Sequence, residues 1–170
     1  FMLMASMNPC PCGFYNHPER ECTCPPGTVQ KYLNKISGPL LDRIDLHVEV
    51  TPVAFSELSS IKPQENSSVI RDRVINAREK QAERYKNHPG IYCNAQMSSK
   101  LLRRYAVPDS AGAAILRNAM EKLGLSARAY DRILKLSRTI ADLEGSENIH
   151  AHHVAEAVQY RSLDRSGWAG

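Results

Sequence analysis

The chain has 170 residues, 42% of them hydrophobic, which is enough to bury a core and excludes a globally disordered protein. Its net charge of +4 permits an acidic partner such as nucleic acid but does not require one. No stretch approaches the ~18 consecutive apolar residues of a membrane span, and the opening FMLMASM lacks the basic flank of a signal peptide. We therefore expect a cytoplasmic protein with no membrane association.

The first part of the chain, residues 1–51, predicts a small α/β unit. Residues 1–7 form an apolar run typical of a buried strand, residues 28–36 a short helix, and residues 43–50 an alternating strand. Phe1 is not an initiator methionine, and the first strand begins at once. We therefore expect a fragment of a longer protein, with the partner strands of this unit upstream.

The remainder of the chain predicts a helical bundle. Residues 52–68 are rich in Ser and Pro and suit a linker, whereas residues 69–170 show no convincing strand. Asp109 and Ser126 are predicted to cap two of the helices. The predicted fold class is mainly α with a small α/β part, and its five bundle helices are expected over residues 69–87, 98–106, 109–124, 126–143 and 150–161.

Four thiols fall within the stretch CPCGFYNHPERECTC, as two Cys-x-Cys pairs. Disulfides are rare in cytosolic proteins, and the spacing differs from the Cys-x-x-Cys of thioredoxin-like redox sites. Four thiolates on two tight turns can instead surround one structural zinc ion, which would supply folding energy that this apolar-poor segment lacks. We predict Cys10, Cys12, Cys22 and Cys24 as the ligands. His17 is an alternative to one thiolate, and reduced thiols without a metal are the alternative to the site as a whole.

Several other polar residues have ordinary explanations. The stretch HAHH at residues 150–153 invites a metal site, but no carboxylate or cysteine partner is evident, so a helix cap or a surface role is expected. Cys93 stands apart, after a Pro-Gly turn, and is expected to be a partly buried thiol. Asn8, just before Pro9, is by itself typical of a turn.

Two arginines also have ordinary explanations when taken alone. Arg43 lies between Asp42 and Asp45, which predicts a local ion pair. Arg128 follows the predicted cap Ser126 and would share a solvated helix face with the basic residues Arg132 and Lys135. Residue spacing alone assigns neither arginine a function.

Six stretches carry a resemblance to a known family, in the order MNPCPCG, GPLLDRIDLHVEV, AREKQAERY, NAQMS, GLSARAYDRILKLSRTIADL and HVAEAVQYRSLDR. They resemble the C-terminal part of the magnesium-chelatase-like AAA+ ATPases of the ComM/YifB family. The resemblance covers nearly the whole chain. It implies a truncated AAA+ P-loop core, represented by its last two strands with a Cys-rich insertion at residues 10–24, followed by an all-α helical lid.

The resemblance also implies roles for three residues. Asn8 matches the polar sensor-1 position, which helps to place the attacking water. Arg43 matches the arginine finger, which reaches into the nucleotide site of a neighbouring ring subunit. Arg128 matches sensor 2, the lid arginine that touches the nucleotide phosphates. The implied cofactors are ATP and Mg²⁺, and the implied assembly is a homo-oligomeric ring, a hexamer. The implied activity couples ATP hydrolysis to DNA remodelling or branch migration.

The chain itself contains no G-x-x-x-x-G-K-[ST] phosphate loop and no strand ending in acidic Mg²⁺ ligands. The resemblance therefore implies an ATP hydrolase for the complete protein and no hydrolysis by this fragment alone. The alternative is a non-enzymatic, zinc-stapled module that binds nucleic acid or another protein, which steep salt dependence of DNA binding would favour.

Overall fold

The structure, a computed structural model, describes residues 2–50, 52–53 and 65–161. Within that part of the chain, none of the helices combines the length and apolarity needed to cross a membrane. The described helices are α1 (Thr28–Leu33), α2 (Gly38–Leu41), α3 (Ser67–Tyr85), a 3₁₀ helix (Asn94–Gln96), α4 (Ser99–Tyr105), α5 (Ser110–Leu123), α6 (Ala127–Glu144) and α7 (Ala151–Gln159).

The two predicted strands do not form among the described residues. Residues 2–7 and 43–50 lack strand hydrogen bonding, and the β-type pairing that is present is an isolated parallel bridge between Pro108 and Ile149. A strand is stable only when a neighbour pairs with its backbone N–H and C=O groups. Within residues 2–50, 52–53 and 65–161, no strand pairs with these two segments, and Met2 and Val50 are 83% and 86% exposed. The described fold is therefore mainly helical, and the α/β part of the predicted fold class is not observed.

The predicted helices, in contrast, form close to their expected bounds. Asp109 caps α5, since its carboxylate accepts a hydrogen bond from the Gly112 N–H at 2.7 Å. Ser126 caps α6, because its hydroxyl accepts the Ala129 N–H at 3.2 Å. Helix α3 starts at Ser67, so the end of the predicted linker, residues 52–68, is helical. Most of the rest of that linker lies outside the described residues, and the predicted domain boundaries remain predictions.

Helix α6 lies at the centre of the hydrophobic core, with α7 packed on it and α5 packed on α7. A side chain at Gly112 would place its Cβ 3.1 Å from the Val154 side chain, so the absence of one lets α5 approach α7 closely. Helix α4 and the end of α3 also pack on this core. Its buried members include Tyr85, Met97, Leu101, Leu102, Leu116, Ile133, Leu134, Ala141, Val154 and Ala157.

A buried polar network joins the long helix α3 to this core. The side chain of Asp142 is completely buried on α6 and accepts hydrogen bonds from Arg84 at 2.7 Å, Asn94 at 2.8 Å and Arg138 at 3.1 Å. Asn94 belongs to the 3₁₀ helix and in turn accepts the Tyr85 hydroxyl at 2.8 Å. Because each buried charge has a partner, the network is stable at a depth where an isolated charge would not be.

We expect Asp142→Ala to destabilise the chain by about 3–5 kcal/mol, because it leaves two largely buried guanidinium groups without their shared carboxylate. Urea denaturation followed by circular dichroism measures this. Glu65→Ala is the matched control, since its ion pair with Arg73 is about half exposed and should contribute less than about 1 kcal/mol. Equal losses in the two variants would contradict the proposed importance of the buried network.

Candidate functional site

Two tight turns bring the four cysteines of the segment 10–24 together. In the first, the Gly13 N–H donates to the Cys10 carbonyl at 3.0 Å, and Gly13 has a φ of +84°, a value that favours glycine. The loop between the pairs turns again at Asn16, where φ is +59°. Asparagine tolerates this left-handed conformation better than most residues. The chain thus returns Cys22 and Cys24 to the first pair before α1 begins.

The four sulfur atoms have the separation that a zinc site needs. Every Sγ of Cys10, Cys12, Cys22 and Cys24 lies within 4.8 Å of the others, and the closest separations are 3.3, 3.5 and 3.7 Å. Four sulfurs bound ~2.3 Å from one tetrahedral zinc ion lie ~3.8 Å apart. No disulfide joins them. The donor set and its spacing therefore fit zinc.

Backbone N–H groups and neighbouring thiols shift the pKa values of this cluster in opposite directions. The Tyr15 N–H donates to the Cys10 sulfur at 3.3 Å. Hydrogen bonding from the Phe14 backbone, helped by neighbouring groups, lowers the pKa of Cys12 to about 5. The Cys12 backbone acts to lower the pKa of Cys24 as well, but burial and the three other thiols together raise it to about 12. A thiolate therefore forms readily at Cys12 and much less readily at Cys24, where the other thiols lie close by.

His17 is not part of this cluster. Its Nδ1 accepts the Glu19 N–H at 3.1 Å, and the fourth sulfur is that of Cys24. Cys93 also lies outside the group and is partly buried, as expected from the sequence. The structure therefore favours four thiols over the alternative in which His17 replaces one of them.

A second group, Glu144, His152 and His153, brings a carboxylate to the HAHH stretch that the sequence did not reveal. The Glu144 carboxylate at the end of α6 contacts the Nε2 atoms of both histidines, at 2.8 Å for His152. The sequence signal is weak, because Glu144 is separated from the histidines by the turn at Gly145. The structure thus supplies a carboxylate partner that was not evident in the sequence.

The tautomer of His153 argues against a metal in this second group. His153 is fully buried, and its Nδ1 accepts the His150 N–H at 2.9 Å, which stabilises the start of α7. A neutral ring that accepts at Nδ1 carries its proton on Nε2, the atom that faces Glu144. That Nε2 then has no lone pair for a cation. The group acts as a helix cap tied to a carboxylate, in agreement with the cap expected from the sequence.

Arg43 lies just after α2, next to a residue, Asp42, that contacts the start of the helix carrying Arg128. Arg43 is exposed and donates to the Pro39 carbonyl of α2 at 2.7 Å. Arg128 lies in the first turn of α6, and its Nη1 is 3.9 Å from the carboxylate of Asp42, the residue before Arg43. Asn8 is exposed in the N-terminal segment. Among the described hydrogen bonds and ion pairs, none links Asn8 to either arginine.

The acidic neighbours of Arg43 bind the helical bundle, not Arg43. Asp42 accepts the Ser126 hydroxyl, and Asp45 forms an ion pair with Arg132 of α6. The local ion pair expected around Arg43 is therefore not observed, and Arg132 does not lie on a free polar face. Nothing in the sequence predicted these contacts, because they join residues more than 80 positions apart.

Comparison with known proteins decides the family. A family model described as magnesium chelatase, subunit ChlI C-terminal, matches residues 64–161, and one described as magnesium chelatase, subunit ChlI, matches residues 1–58. This chain belongs to the magnesium-chelatase-like family of ComM and YifB. The resemblance read from six short stretches is thereby confirmed.

Individual relatives of this magnesium-chelatase-like chain match along nearly its whole length. The competence protein ComM of Haemophilus influenzae is 42% identical over 166 residues, and YifB of Escherichia coli is 40% identical over 166 residues, each covering 97% of this chain. A Mycobacterium bovis protein is 39% identical over 161 residues, or 95% of the chain. The chain spans 31% of the length of each of these relatives.

The Glu144 contacts predict a specific pH dependence. Hydrogen bonds from His152 and His153 lower the pKa of Glu144 below its ordinary value of 4.5. A lowered carboxyl pKa stabilises the fold above the unfolded-state value, and this stabilisation is lost as the pH falls through the folded-state value. We therefore expect Glu144→Gln to be less stable than wild type at pH 5.5, and the difference to shrink as the pH falls below about 4.5.

Urea denaturation of both proteins between pH 5.5 and pH 3 measures this difference. The matched control is Glu156→Gln, a carboxylate of α7 that lies beside Tyr160. A stability difference between wild type and Glu144→Gln that stays constant across the range would contradict the role given to the carboxylate charge.

Proposed function

We propose that this chain is the C-terminal portion of a ring-forming, magnesium-chelatase-like AAA+ ATPase. The observation that carries the proposal is that two consecutive family models together cover nearly the whole chain. In this proposal Asn8 is sensor 1, Arg43 is the arginine finger and Arg128 is sensor 2. The complete protein hydrolyses ATP with Mg²⁺, and this chain contributes residues that respond to the nucleotide.

The position of Arg128 supports a phosphate-contacting role. It lies in the first turn of α6, and its side chain is 66% exposed. The N-terminus of a helix carries partial positive charge and attracts anions. The Asp42 carboxylate already lies 3.9 Å from Arg128 at this helix end, and the exposed guanidinium has further N–H groups that can donate to a phosphate. Arg128 is therefore well placed to contact the phosphates of a bound nucleotide.

The position of Arg43 supports a role in trans. It is exposed and follows α2, whose Pro39 carbonyl accepts one of its N–H groups. A guanidinium has a rigid set of donors suited to the oxygens of a phosphoryl group, where charge accumulates during transfer. In a ring, an exposed arginine at a subunit boundary can supply that charge to the nucleotide of the neighbouring subunit. Bound ATP and Mg²⁺ supply the reacting phosphoryl group and its counter-charge.

The chain has no phosphate-binding loop, so we propose no hydrolysis by the chain alone. For the complete protein we propose a hexameric ring that couples hydrolysis to DNA remodelling or branch migration. The DNA partner is what the resemblance to the ComM/YifB family implies, and the net charge of +4 is compatible with one. Insertion of a metal into a porphyrin is not proposed.

We propose that Cys10, Cys12, Cys22 and Cys24 hold one structural zinc ion. All four positions of a tetrahedral ion would be filled by protein sulfur, which leaves no open position for a substrate. The ion would supply the cross-link that holds the two turns together. Its role is to shape the loop between Asn8 and α1.

We expect Arg43→Ala to lower the kcat of ATP hydrolysis by the complete protein roughly 10³-fold, since an arginine finger stabilises charge in the transition state. Steady-state ATPase assays on assembled protein measure this. Arg71→Ala is the matched control, because Arg71 is exposed on α3 and has no proposed contact with nucleotide. Normal ATPase activity in Arg43→Ala would remove the finger assignment.

We also expect the freshly purified chain to contain about one zinc ion. Elemental analysis measures the metal, and Cys12→Ser should reduce its content, because three thiols and a hydroxyl bind zinc less tightly. Cys93→Ser should retain the metal, since Cys93 lies outside the cluster. A folded, metal-free wild-type chain with all four cluster thiols open to titration would refute the site.

A further inference from the structure

The carboxylate of Asp42 lies where the segment that carries Arg43 meets the helical bundle. Asp42 follows the last residue of α2 and directly precedes Arg43. Its two oxygens accept the Ser126 hydroxyl at 2.8 and 2.9 Å. The Asp42 side chain is only 20% exposed, so this contact is largely shielded from water. A charged acceptor in such a place makes a stronger hydrogen bond than a neutral one.

Ser126 connects Asp42 to the first turn of helix α6. The same hydroxyl that donates to Asp42 accepts the Ala129 N–H and so caps the helix. Arg128 lies two residues further on, with its Nη1 3.9 Å from Asp42. The negative charge is thus held at the positive end of the helix dipole and beside a cation, and both are favourable. The beginning of α6 is fixed relative to Asp42.

The end of α7 also contacts the Asp42 carboxylate. The side chain of Arg161, just after α7, is completely buried, and its Nη2 is 3.8 Å from Asp42. Another of its nitrogens donates to the Ile44 carbonyl. The Tyr160 carbonyl also accepts the His47 N–H at 2.8 Å. The residues on both sides of Arg43 are therefore held by the bundle, whereas Arg43 itself is exposed.

We propose that Asp42 is a positioning residue that keeps Arg43 and Arg128 in a fixed relation. This inference rests on the proposed function and adds a physical link between two of its residues. A movement of α6 that follows nucleotide contact at Arg128 would carry the Arg43 segment with it. In a ring, such a coupled movement would change the position of Arg43 in the nucleotide site of the neighbouring subunit according to the nucleotide bound near Arg128.

A second ion pair between the Arg43 segment and α6 allows a test of whether Asp42 positions the two arginines or only attaches this segment to the helix. Asp45 pairs with Arg132, so it also joins the Arg43 segment to α6, one helical turn further along. This pair is more exposed than Asp42, with 61% of the Asp45 side chain accessible, and it does not involve the helix cap. If Asp42 positions the two arginines, loss of Asp45 should have a much smaller effect.

The experiment uses the complete protein, assembled and assayed for ATP hydrolysis. Asp42→Asn keeps the side-chain shape and one hydrogen-bond acceptor but removes the charge. We expect it to lower kcat about tenfold and to change KM less than about twofold, while Asp45→Asn changes kcat less than about twofold. Because the two residues would act as one unit, Asp42→Asn added to Arg43→Ala should lower kcat less than about twofold further.

Wild-type kcat in Asp42→Asn, equal losses in Asp42→Asn and Asp45→Asn, or fully additive losses with Arg43→Ala would each overturn the inference while leaving the arginine finger intact. Normal activity in Arg43→Ala would instead overturn the proposed function and the inference with it. Circular dichroism checks that each variant folds. If Asp42→Asn does not fold, Ser126→Ala takes its place and should show the same loss of kcat, and its wild-type kcat would overturn the inference.

Discussion

Helix α6 is the element on which the rest of the described structure depends. The buried carboxylate of Asp142 holds this helix in place against α3 and the 3₁₀ helix. Asp142 receives hydrogen bonds from α3 and from the 3₁₀ helix, so three separate parts of the chain meet at one charge. An 18-residue helix is ~27 Å long. Its far end carries Ser126 and Arg128, so firm attachment at Asp142 determines where those two residues lie.

The cysteine segment is stabilised in a different way from the bundle. The bundle has a continuous apolar core, whereas Cys10 is the only fully buried member of the four-thiol cluster, and the loop between the pairs is mostly polar or partly exposed. A segment of this size cannot bury enough apolar surface to order itself. A metal cross-link replaces the missing core in the proposed site, and its position next to Asn8 would order the chain that carries this residue.

The sequence predicted features that depend on nearby residues. The caps Asp109 and Ser126 were correct because capping involves a side chain and a backbone group three residues away. The clustering of the cysteines was correct for a similar reason, since two Cys-x-Cys pairs with prolines and Gly13 favour tight turns. The helices of the bundle followed from apolar spacing and from these caps.

Features that depend on distant residues could not be predicted from the sequence. The strands over residues 1–7 and 43–50 need pairing partners, and apolar alternation says nothing about whether a partner is present. The contacts of Asp42 with Ser126 and of Asp45 with Arg132 join residues more than 80 positions apart, so local charge patterns pointed to the wrong partners. The carboxylate of Glu144 meets His153 only because the chain reverses at Gly145.

The close approach of α5 and α7 at Gly112 connects a remote position to the segment around Arg43. Any side chain at this position would press on Val154, Pro108 and Asp109, each 3.1 Å from where its Cβ would lie. At such distances the neighbouring atoms must give way by a few tenths of an ångström. Residues Tyr160 and Arg161, just after α7, hold His47 and Ile44, so the helix that packs against Gly112 is also the helix that leads to the contacts of the arginine segment. The lack of a side chain at position 112 thus permits the close packing of a helix whose other end holds the residues around Arg43.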